Sequence, residues 1–96
     1  MYERLYDVSE TSPVSFVGFM TDQTRYDLAI IYTDSFFGKP LVVCMQTGKS
    51  ALLCADDINN HEYLEHVFRL NDRSAAEEMA YFLGQRLPAM GFNEQY

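Results

Sequence analysis

The spacing of hydrophobic and polar positions changes period partway along the chain, from two in the first half to three or four in the second. Residues 14–20 (VSFVGFM) are β-branched and aromatic and read as a strand. A polar turn, Thr21-Asp22-Gln23-Thr24, leads to a second strand over 26–33. There Tyr26, Leu28, Ile30 and Tyr32 share one face, with Ala29 and Ile31 on the other. Residues 41–46 and 50–55 read as third and fourth strands, joined by a hairpin turn at Thr47-Gly48-Lys49 whose glycine can take φ > 0. Connections this short favour an antiparallel meander. Residues 60–67 then read as a short helix with Tyr63, Leu64 and Val67 as its apolar side. Ser74-Ala75-Ala76-Glu77 has the form of a capping box. It opens a helix to about Leu87, with Ala76, Met79, Ala80, Leu83 and Leu87 along one face and Pro88 and Gly91 as its stop. The predicted fold is α+β: a four-stranded, mainly antiparallel sheet with two C-terminal helices packed on one face. Residues 1–96 make a single domain, with 1–13 as an N-terminal arm and 88–96 as a loose tail.

The third strand is apolar on both sides, with Leu41, Val43 and Met45 on one and Val42 and Cys44 on the other. A sheet covered on one face alternates apolar and polar residues. Two helices cover one face, so the other calls for a second cover. The arm supplies part of it, and a second copy of the chain is the stronger expectation, because closed symmetric dimers are the commonest oligomers.

Composition narrows the partners. The 96 residues are 48% hydrophobic and 22% charged, within the globular range and outside that of disordered chains. The net charge of −7 is spread along the chain without an acidic tail or basic stripe, which disfavours nucleic acid and anionic membrane. The first residues lack the pattern of a secretory signal and no window is apolar enough to span a bilayer, so a cytosolic protein with reduced Cys44 and Cys54 is expected.

Chemistry-bearing residues are few. His61 and His66 are five apart, which on a helix sets them about 140° from each other rather than on one metal, and Glu62 stands where an inverted zinc motif needs a histidine. Gly48-Lys49-Ser50 resembles the end of a phosphate loop, but Val43 replaces the required earlier glycine and a strand follows the serine. Cys44 and Cys54 sit on neighbouring strands and could lie near each other, yet they are no CxxC pair, have no flanking charge to activate a thiol and read as small apolar residues. Asp56, Asp57, Glu62 and Glu65 read as carboxylates flanking a helix start. No cofactor, metal or catalytic residue is assigned.

Phe36-Phe37-Gly38-Lys39 is the most informative segment. Two adjacent aromatics in a loop do not both reach one core easily. Either the loop folds over the open sheet face and buries both, or an aromatic is left for a partner beside Lys39.

The segments 25–34 (RYDLAIIYTD), 45–52 (MQTGKSAL) and 63–68 (YLEHVF), with Gly38-Lys39, give the chain a likeness over nearly its whole length. It resembles a family of small cytosolic proteins of Bacillus- and Staphylococcus-type Gram-positive bacteria that forms a domain of unknown function. The resemblance implies a bacterial cytosolic home and brings no active-site residues. The function expected is a non-enzymatic protein-interaction or regulatory module, homodimeric, with Phe36, Phe37 and Lys39 as its interaction loop. The alternative is a small enzyme or ligand-binding protein using His61, His66, Cys44 or Cys54 at a dimer seam.

Overall fold

The computed structural model describes residues 3–22 and 24–87. The predicted tail, with Pro88 and Gly91, lies outside them. Strands β1 (Val14–Thr21), β2 (Thr24–Ile31), β3 (Leu41–Cys44) and β4 (Ser50–Leu52) form one antiparallel sheet in the order β1-β2-β3-β4. Helices α1 (His61–Phe68) and α2 (Arg73–Gly84) follow. The meander and the two C-terminal helices are those the sequence predicts.

The register separates the side chains into two sets. Val17, Phe19, Tyr26, Leu28, Ile30, Val42 and Cys44 face the helices and are buried with Leu64, Phe68, Met79 and Leu83 in one core. α2 lies beneath β1 and α1 beneath β4. Phe19 stacks on Phe82, with ring centroids 5.5 Å apart, and Tyr32 donates its hydroxyl to the Arg86 carbonyl at 3.2 Å. Directly opposed residues share a face, so Val14, Phe16, Gly18, Met20, Ala29, Ile31, Leu41, Val43 and Leu52 line the other side.

Several boundaries differ from the predicted ones. β3 ends at Cys44, because the five residues 45–49 turn the chain into β4. Gly48 (φ 73) donates to the Cys44 carbonyl at 2.9 Å, and Cys44 donates to the Lys49 carbonyl at 2.8 Å. Where β3 stops, the Gln46 side chain continues its ladder by accepting from the Asp27 amide at 2.7 Å. β4 stops at Leu52, and residues Ala55–Asn59 form a 3-10 turn in place of the predicted strand end. Asp57 reaches back within this turn to accept from the Cys54 amide at 2.9 Å, while Asn60 caps α1 by accepting from the Tyr63 amide at 3.0 Å.

α1 runs one residue further than predicted, and that residue, Phe68, is fully buried; its apolar side is Leu64, Val67 and Phe68, with Tyr63 turned outward. Arg69 in the left-handed region (φ 57) closes α1, with Leu70 donating to the Glu65 carbonyl at 3.0 Å. α2 is capped by Asp72, which accepts from the Ala75 amide at 2.9 Å, so the box predicted at Ser74 is not its start. The helix ends at Gly84 instead of Leu87.

Candidate interaction surface

The side of the sheet away from the helices is uncovered among the described residues. Its exposed large apolar side chains are Phe16 (72%), Met20 (63%) and Val14 (47%) on β1, with Met45 (50%) just past the end of β3. Further in, Ile31, Leu41, Val43 and Leu52 are half-buried by one another and Ala29 is buried. Large apolar side chains grouped on one face mark an association surface more often than singly scattered ones do.

One end of this face is polar. Arg25 donates from Nε to Asp27 Oδ2 at 2.9 Å and from Nη2 to Oδ1 at 3.2 Å, and Gln46 Nε2 donates to Asp27 Oδ2 at 2.6 Å. The Arg25 hydrogen bond, and then that from Gln46, hold the Asp27 carboxyl below its ordinary range. Opposite Asp27 stands Gly18, where a Cβ would sit 2.9 Å from Asp27 Oδ1. A shallow dip of ≈ 320 Å³ beside them is lined by Gly18, Phe19, Met20, Arg25 and Asp27.

The N-terminal arm does not cover the face. It is fixed at Glu10, whose carboxylate accepts from Ser12 Oγ, Thr33 Oγ1 (2.8 Å), the Asp34 amide (3.1 Å) and Ser35 Oγ (3.1 Å). Beyond this anchor Leu5, Tyr6 and Val8 stay exposed, and Tyr6 and Val8 border a cleft of ≈ 310 Å³ with Ser35 and Phe36. The hydrogen bond from Ser12, then those from Thr33 and the Asp34 amide, bring the Glu10 pKa down from 4.5 to about 2. A depressed carboxylate favours the anchored state above its unfolded value and loses that contribution as pH falls through the folded one. The anchor should therefore persist through pH 4.5 and release near pH 2. A carboxyl titration of Glu10 by NMR should show its midpoint there, with the Asp34 amide shifting in step. A midpoint above 4 would remove the anchor.

The aromatic loop is a tight left-handed turn. Phe36 (φ 54), Phe37 (φ 64) and Gly38 (φ 74) succeed one another in the left-handed region, with Gly38 donating to the Ser35 carbonyl at 3.1 Å and Lys39 to that of Phe36 at 3.3 Å. Only the glycine adopts this backbone without strain. The turn does not fold over the sheet to bury its rings. Phe36 is 48% exposed and Phe37 is 97% exposed, with Lys39 half-buried beside them.

The remaining chemistry-bearing residues are apart. His61 lines a wide polar cleft of ≈ 430 Å³ with Asp56, Asn59, Asn60, Glu62 and Arg73, whose lining includes neither cysteine nor His66. Arg73 pairs with Glu65 at 2.5 Å, and that hydrogen bond raises its pKa further. Cys44 is buried in the core, and Cys54 is half-buried with Sγ 3.4 Å from Asp57 Oδ2. The two thiols do not lie side by side as the strand positions suggest. In the β3–β4 register Cys44 stands at the turn end beside Lys49, and Cys54 follows β4 at the opposite end. No group of three or more His, Cys, Asp or Glu side chains suited to a metal occurs among the described residues, and no helix there is long and apolar enough to cross a membrane.

The sequence pattern of a family described as SAV0927-like matches residues 5–85. Comparison with curated proteins gives no match.

Proposed function

The chain belongs to the SAV0927-like family, and from that premise we propose that it is a non-enzymatic protein-interaction module that works as a homodimer in the bacterial cytosol. The carrying observation is the row of exposed apolar side chains, Val14, Phe16 and Met20, on the uncovered side of the sheet. Leaving such a row in water costs about 25 cal/mol for each Å² of apolar surface, part of which a second copy recovers. Light scattering behind a sizing column, in reducing buffer, should return twice 11.1 kDa. A mass of 11.1 kDa would overturn the homodimer.

The loop Phe36, Phe37 and Lys39 is the second part of this reading, an anchor for a protein partner. Strained backbone held at the surface is characteristic of working sites, and Phe37 contributes no burial to offset its strain. Phe37→Gly should raise stability, by up to about 1 kcal/mol, or about 4–8 °C in Tm for a domain this small. A lower Tm in a thermal melt would make the ring part of the core and end its role as an anchor.

A further inference from the structure

Among the described residues, β1 is a sheet edge eight residues long. Its free hydrogen-bonding groups can be identified from the ladder. Tyr32 donates to the Pro13 carbonyl and Met45 to that of Asp27. With the register, this aims the backbone groups of Ser15, Val17, Phe19 and Thr21 at β2. The amides and carbonyls of Val14, Phe16, Gly18 and Met20 point away from the sheet. The same four residues carry their side chains on the uncovered face, so one strip of the molecule presents both an open ladder and its most exposed apolar groups.

β1 itself carries none of the residues that protect an edge. None of residues 14–21 is charged or proline, whereas β4 at the other edge is three residues long with Lys49 beside it. In a chain of net charge −7, a strip free of carboxylates is also where two copies can approach without opposing like charges.

We infer that two copies pair along β1 in antiparallel register about a two-fold axis at Val17, making one continuous eight-stranded sheet. This rests on the homodimeric reading above and names the seam. The register follows from the alternation. Outward groups must meet outward groups, which excludes every register that sets an even residue opposite an odd one. Of those left, only Val14 opposite Met20 and Phe16 opposite Gly18 pairs all four outward residues of both strands. A slip by two leaves Val14 or Met20 beyond the strand end. The same register sets each Phe16 ring beside the partner's bare glycine, over the dip next to Asp27, where an aromatic neighbour covers backbone that glycine leaves open.

The test is amide hydrogen exchange by NMR on the whole chain, with mass measured on the same sample. A dimer with slow exchange at Val14, Phe16, Gly18 and Met20 is expected, together with at least a tenfold weaker dimer in Phe16→Lys and fast exchange at those four amides in that variant. The lysine replaces a ring that is already mostly in water, so the fold is retained. A dimer in which these four amides exchange freely would overturn the β1 seam and leave the homodimer standing. A monomer would overturn both.

Discussion

Phe68→Ala is expected to cost about 3–5 kcal/mol, the usual result of emptying a buried phenylalanine site. Phe68 is fully buried, at the C-terminal end of α1, in one core with Leu28, Val42, Leu64 and Met79. The left-handed cap at Arg69 follows it immediately, so its backbone is held from both sides and the site cannot collapse readily. A domain of this size has about 5–15 kcal/mol in total, so the loss takes a large share of its stability. In a urea titration the midpoint should fall by at least about 1 M for a slope of 1–3 kcal/mol/M. Phe68→Leu retains most of the volume and should cost clearly less. Equal and small losses in both variants would mean that α1 packs against the sheet without depending on this ring.

Phe68 also shows where the sequence is legible and where it is not. The sheet could be read because its period is two and its turns carry Gly48 and polar residues. Tyr26, Leu28 and Ile30 fall on the buried face as the alternation requires. The end of α1 could not be read so well, since its stop is an arginine in the left-handed region instead of the glycine that usually marks one. The predicted capping box at Ser74 fits a general pattern. The fold places the cap two residues earlier at Asp72, which brings both Ala75 and Ala76 into the buried face of α2. The alternation of β3 ran on through Met45 because that residue still pairs with β2, although it has left β4.

The uncovered face was legible in outline only. Apolar residues on both sides of the central strands indicate an uncovered face, but sequence alone does not say that three of its exposed large apolar side chains stand on β1. That depends on strand order, which leaves β1 at an edge and packs Ile31, Leu41, Val43 and Leu52 among themselves. Glu10 was missed because its partners Thr33, Asp34 and Ser35 are brought to it only by the β1–β2 hairpin. No residue-type rule announces two phenylalanines with φ > 0, so the left-handed turn at Phe36 and Phe37 is a product of the closed fold.

Adjacent residues of β3 provide a test of sidedness and of the seam together. Val42→Asp should leave the chain unfolded. Val42 is fully buried, opposite Ile30 and Ala51. A carboxyl buried there has its pKa raised by about 3–5 units from about 3.9, so at neutral pH it takes up a proton at a cost of about 4 kcal/mol, to which the lost valine packing and the buried carboxyl's unpaired polar atoms add about 2–4 more. That is comparable to the whole stability of such a domain. Val43→Asp should keep the fold with a loss below about 2 kcal/mol, because Val43 is half-buried on the uncovered face between Ala29 and Ser50, and its carboxylate reaches water. Far-ultraviolet circular dichroism with a thermal melt should separate the two variants. The second variant then distinguishes two modes of association. If copies join along β1, Val43 lies two strands from the seam and the Val43→Asp protein remains a dimer. If they instead stack face to face, the new carboxylate falls in the middle of the contact and leaves a folded monomer.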